Sequence, residues 1–180
     1  MRRSRRALAP LTAALAGVVL LSGCGVTHMQ DLSFRVDNRL HFTAPKARAK
    51  AHQPVTVSWT IRDFRIAAEG SEPASRDAGY FALFVDAAPI KPGQTMRAVA
   101  SGDQACKRDP KCPDADYLAA RGVFTTTATS LRLPLIPNVT GDKEKFQQHA
   151  ITVVLMDTAG HRIGESAWEL DFRLPKLGLS

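Results

Sequence analysis

Val55, Val57, Trp59 and Ile61 fall at every second position, with Thr56, Ser58 and Thr60 between them. Side chains of an extended strand alternate between two faces, so this pattern buries one face and wets the other. The same residues on a helix would scatter their apolar groups around its circumference. Pro54–Asp63 is therefore predicted as a half-buried strand, and any fold for this chain has to supply a sheet for it. Gly79–Asp86 is a near-continuous apolar run, the mark of a central strand covered on both faces. Ile151–Met156 reads as a second central strand.

Weaker alternation fills in the rest. Leu32, Phe34 and Val36 predict one strand, and Leu40 and Phe42 another, with a turn at Asp37-Asn38 between them. Ala44-Pro45 ends the second, and Lys46–Gln53 is a polar connection. Pro89, Pro92 and Gly93 are turn chemistry leading into a short return strand at Met96–Ala100. Val123–Thr127 and Ser130–Ile136 are strands, followed by a polar excursion over Pro137–Gln148. After a turn at Asp157–Gly160, Arg162–Leu174 closes the domain, with Trp168, Leu170 and Phe172 on one face and Glu169, Asp171 and Arg173 on the other. Eight or nine strands with almost no helix predict an all-β sandwich. Trp59 and Trp168 are expected in its core, among Val57, Phe84, Val153 and Leu155.

Residues 101–122 break the pattern. They hold Cys106 and Cys112, Pro110 and Pro113, four aspartates, and one helical stretch, Asp114–Arg121, with Asp114 suited to its start and Gly122 to its end. Five residues separate the two cysteines and no histidine lies near, which fits zinc poorly. A disulfide is predicted, contributing about 2 kcal/mol through loop closure. Tyr117 and Leu118 are expected to dock the short helix on the sandwich edge. That leaves Lys107, Arg108 and Lys111 outward as a candidate partner-binding surface.

The first residues follow another logic. Arg2, Arg3, Arg5 and Arg6 precede an apolar run, Ala7–Leu21, that is short of the roughly 20 residues of a spanning helix. Leu21-Ser22-Gly23-Cys24 then closes the run and resembles a bacterial lipobox, in which the cysteine thiol accepts diacylglycerol. The resemblance implies a lipoprotein signal peptide at 1–23, lipidation of Cys24, palmitate-type acyl chains and a lipid anchor in the membrane. It places the domain on the extracytoplasmic face of the cell membrane, in an oxidising compartment where a Cys106–Cys112 bridge persists. Export by the general secretory or the twin-arginine route is compatible with the leader. A tether at 24–31, a sandwich domain at 32–175 carrying the 101–122 insertion, and a tail at 176–180 complete the organisation.

The sandwich itself is similar to the fibronectin type III and immunoglobulin-like folds. The resemblance rests on Val57-Ser58-Trp59, on Thr129–Pro137, and on the turn Asp157–Gly160 after a central strand. Such a fold hosts many functions and implies none by itself.

The net charge of +7 owes four arginines to the leader, so residues 24–180 carry +3. That is no basic stripe, and nucleic acid is not expected as a partner. Lys46, Arg48 and Lys50 form the densest basic cluster and read as a solvated loop. The five histidines, His28, His41, His52, His149 and His161, lack metal-ligand spacing among themselves. Cys112, His149, Met156 and His161 follow the loose order of a sandwich copper site without its spacing. Asp103, Asp109, Asp114 and Asp116 lack the order of a calcium loop. Gly164-Glu165-Ser166-Ala167 lacks the closing glycine of a nucleophile elbow. No catalytic residue, metal or cofactor is assigned. The chain is expected to act as a non-catalytic binding or assembly module with an envelope protein as partner. The alternative is a small-ligand or metal carrier.

Overall fold

The computed structural model describes residues 37–138 and 143–177. The chain divides into Met1–Arg35, which lies outside the described residues, and Val36–Ser180. The leader, Cys24, the tether and the expected strand at Leu32, Phe34 and Val36 therefore fall outside the description.

The described residues form an all-β domain of two sheets. The Trp59 segment is β2 (Thr56–Ile61), the middle strand of a small antiparallel sheet between β1 (Leu40–Ala44) and β6 (Ser130–Arg132). The larger sheet is built on β4 (Ala78–Val85). One edge of β4 pairs along its length with β7 (Phe146–Asp157), which pairs in turn with β8 (Trp168–Pro175). The other edge takes β3 (Arg65–Ile66) in parallel at its start and β5 (Val123–Thr126) antiparallel further on.

The core lies between the sheets. Phe81, Leu83, Ile151, Val153, Leu155, Leu170 and Phe172 face Leu40, Val57, Trp59 and Leu133. Trp59 stacks edge-on against Phe81, with ring centroids 5.2 Å apart at 75°. The alternate residues Tyr80, Ala82, Phe84, Val154 and Met156 face the other way, onto a second buried cluster with Ile90, Leu118 and Val123. Both faces of β4 are thus covered, which is why its sequence shows no polar alternation.

That second layer corrects several expectations. Phe84 lies opposite Trp59, not beside it. Met96–Ala100 is a 3-10 turn, not a return strand. Met96, Ala98 and Val99 pack flat onto the outer face of the large sheet, and alanine has little to gain from a pleated strand. Leu118 seats the short helix on this same face, not on the sandwich edge. β6 stops at Arg132, since Pro134 and Pro137 cannot donate to a ladder, and Leu135 is left 64% exposed. β7 begins at Phe146, earlier than its apolar run, and carries the buried polar residues Gln147 and His149. β8 starts at Trp168, and Trp168 is half-buried at the end of the core while Leu170, Phe172 and Leu174 are enclosed.

The Lys46–Lys50 cluster is not a free loop. Arg48 N–H donates to Asp171 O at 2.7 Å, Ala51 N–H to Arg173 O at 2.8 Å, and Arg173 N–H to Ala49 O at 2.9 Å. This strap caps the outer edge of β8, which would otherwise offer unpaired backbone groups to another chain. Its charges remain outward, with Lys50 Nζ 4.4 Å from the centre of the Phe146 ring.

Candidate functional site

The insertion braces itself before it touches anything else. Asp103 caps α1 (Gln104–Arg108), its Oδ1 accepting from Ala105 N–H at 2.9 Å and Cys106 N–H at 3.1 Å. The hydrogen bond from Cys106 N–H is the main reason its carboxyl sits below the ordinary range. Cys106 and Cys112 are joined as a disulfide with Cα atoms 5.1 Å apart. Asp114 then caps α2 (Ala115–Ala119) through Tyr117 N–H at 2.8 Å. The two helices are linked by Tyr117 OH, which donates to Asp103 Oδ2 at 3.2 Å, and by Arg121 Nη2, which lies 3.7 Å from the same oxygen while its guanidinium stacks 3.5 Å over the Tyr117 ring. Lys107, Arg108 and Lys111 are exposed on this scaffold and form no ion pair among the described residues. Asp109 and Asp114 each engage a local backbone N–H, and Asp103 engages two backbone N–H groups, Tyr117 OH and Arg121. No cluster of three potential metal ligands occurs among the described residues.

A cleft of about 690 Å³ opens where the chain enters the sandwich. Arg39, Arg76, Asp77, Asp157, His161 and Arg162 contribute to its walls. Three separate segments bring them together: the start of β1, the loop before β4, and the turn between β7 and β8. Arg162 is the unusual member, only 7% exposed. Its guanidinium donates to the carbonyls of Ile90, Glu165 and Ser166, and its Nε is buried with no acceptor among the described residues. Burial lowers its pKa, opposed only by the more distant Glu165.

Asp37 anchors one wall. Its carboxylate takes three bonds of 2.9 to 3.1 Å from the Arg39 guanidinium and one of 2.7 Å from Ser166 Oγ. Its carbonyl accepts from Trp168 Nε1 at 2.7 Å. Ser166 is thus a clamp on the incoming chain. Burial pushes the Asp37 carboxyl up, but the bonds from Arg39 and Ser166 outweigh it and hold the pKa at about 2, against an ordinary 3.8. A depressed pKa in the folded state gives stability above the unfolded value that is lost as pH falls through the folded one. Asp37→Asn should therefore cost about 2 kcal/mol near neutral pH. The gap to the unaltered protein should close between pH 4 and pH 2, as urea midpoints across that range will show. A gap that persists below pH 2 would mean that the clamp does not depend on the carboxylate charge.

At the other end of the sandwich, His149 is buried with Nδ1 2.7 Å from Asp86 Oδ2, and Asp86 Oδ1 accepts from Ala150 N–H at 2.9 Å. Its ring lies 6.0 Å from that of Phe172. This pair closes the lower end of the core. Close by, Phe124, Leu133, Leu135, Ile136 and the end of α2 line an apolar groove of about 350 Å³.

The sequence indicated the disulfide and the α2 caps through their residue types. It gave no indication of the cleft, because Arg39, Arg76 and Arg162 stand alone in sequence and belong to no motif. A scan against protein-family models matches none, and searches of curated proteins and of solved structures find no match.

Proposed function

We propose that this chain is a lipoprotein held on the extracytoplasmic face of the cell membrane through Cys24, and that its domain is a non-catalytic binding or assembly module. The observation that carries this reading is the leader ending in Leu21-Ser22-Gly23-Cys24. The module is of the immunoglobulin-like or fibronectin III-like kind. In support, β1, β2 and β6 form one sheet, the other runs β4-β7-β8 with β3 and β5 sharing the remaining edge of β4, and Trp59 is buried on the second strand. The partner is an envelope protein, and the braced insertion presents Lys107, Arg108 and Lys111 to it. A rigid support for exposed cations suits charge-steered recognition.

Charge reversal of Lys107, Arg108 and Lys111 to glutamate should leave the unfolding free energy, from urea titration, within about 0.5 kcal/mol of the unaltered protein. It should abolish cross-linking to envelope proteins through a photoreactive group placed at Asp109. Cross-linking that survives in the folded triple variant would remove these residues from the interface. A second reading, a small-ligand carrier, is favoured by one observation, the 690 Å³ cleft walled in part by the buried Arg162.

A further inference from the structure

We propose that the cleft beside Arg39, Arg76 and Arg162 binds a small oxyanion, a carboxylate or a phosphate. The inference rests on the carrier reading and gives its ligand a chemical class.

A guanidinium has five N–H donors, and a buried cation is costly unless paired. Arg162 reaches only three carbonyl oxygens and forms no ion pair among the described residues. Carbonyl dipoles orient it without neutralising it. Arg76 stands exposed at the rim, also without an ion pair among the described residues. Arg39 is fixed by Asp37 through Nε and Nη2, which leaves Nη1 without a partner among the described residues. Three arginines, two of them with their guanidinium groups held in place, thus contribute to the walls of one cavity of ligand size. Guanidinium donors match the oxygens of carboxylate and phosphate in pairs.

Two acids share the cleft. Asp157 Oδ1 is engaged by the N–H groups of Ala159 and His161 at 2.9 and 2.8 Å, and Asp77 lies at the exposed rim. Asp77 and, more weakly, Asp63 act on Arg39 from nearby. A compact oxyanion meets fewer of these carboxylates than an extended anionic surface would, which favours a small free anion over a lipid bilayer.

The test uses the full-length, lipid-modified protein in neutral detergent, titrated calorimetrically with inorganic phosphate and, separately, with citrate. At least one should bind saturably at a single site. Arg76→Gln, an exposed change that leaves the fold intact, should weaken it about tenfold or more. Lys46→Gln, on the strap along β8 and outside the cleft lining, should leave it unchanged. Absence of saturable binding by either anion without Arg76-dependent vesicle binding, or equal affinity in Arg76→Gln, overturns the proposal. Vesicles of phosphatidylglycerol, against phosphatidylcholine, separate the sources. Vesicle binding that is lost in Arg76→Gln while free anions stay silent assigns the same oxyanion chemistry to a lipid headgroup. Vesicle binding indifferent to Arg76 counts against the site. Native mass spectrometry of protein purified from envelopes keeps the two readings apart. A neutral small molecule that co-purifies, with neither anion binding, overturns the anion site and leaves the carrier reading standing.

Discussion

Gly79→Ala should be the most damaging single-atom-scale change in the domain, costing at least about 3 kcal/mol. Gly79 sits at the start of β4 with φ at +152°, a region open to glycine and not to other residues. An added Cβ would run into the Met156 carbonyl oxygen and come within 2.9 Å of Asp157 Cα. Neither is a flexible side chain that can swing away. The partner is the backbone of β7, the strand that registers Gly79 against Asp157 and Leu83 against Val153. Relief would require the two central strands of the large sheet to part at that end, and β3 would lose its bridge to β4 as well. Urea unfolding of Gly79→Ala checks this, with Gly93→Ala as a control. Gly93 also has a positive φ, but nothing lies within 4 Å of its added carbon. Equal losses at the two positions would show that backbone conformation alone, and not the β4–β7 approach, sets the cost.

Trp59→Ala should cost about 3–5 kcal/mol. The indole is only 2% exposed and packs across both sheets, edge-on to Phe81. Truncation would leave a cavity walled by strands that cannot collapse without breaking their ladders. Trp59 also carries a buried Nε1 with no acceptor among the described residues. Trp59→Phe keeps a ring against Phe81 and removes that orphan donor, so it should cost less than about 1.5 kcal/mol. A Phe variant as unstable as the Ala variant would mean that the volume of the indole, and not the presence of a ring, holds the sheets together.

The parts of this domain legible in the sequence are those whose physics is local. Val55, Val57 and Trp59 alternate because one face of β2 meets the core and the other meets solvent. Gly79–Asp86 does not alternate because β4 is covered on both faces. Asp114 and Gly122 bracket α2 because one accepts an N-terminal N–H and the other turns with φ at +70°. What covers the outer face of the large sheet was not legible. Met96, Ala98 and Val99 carry apolar character but no period that separates a 3-10 turn from a strand. Helix α1 was missed because its capping residue, Asp103, stands among other aspartates with no apolar period after it. The cleft was missed for a third reason. Its chemistry depends on Arg162 being buried, and burial of a single arginine follows from tertiary packing of Ile90, Glu165 and Ser166 around it. The Lys46–Lys50 strap shows the same limit, since its charges read as solvent-facing while its backbone closes the edge of β8.

The proposed lipid anchor would set where every surface described above operates, and the mature N-terminus tests it most directly. Intact-mass measurement of the protein purified from membranes, with fragment sequencing of its first peptide, should find residues 1–23 removed and a diacylglyceryl thioether on Cys24. Cys24→Ala should abolish incorporation of a fatty-acid probe. A purified chain that retains Arg2–Leu21, or a mature Cys24 bearing a free thiol, would contradict the account.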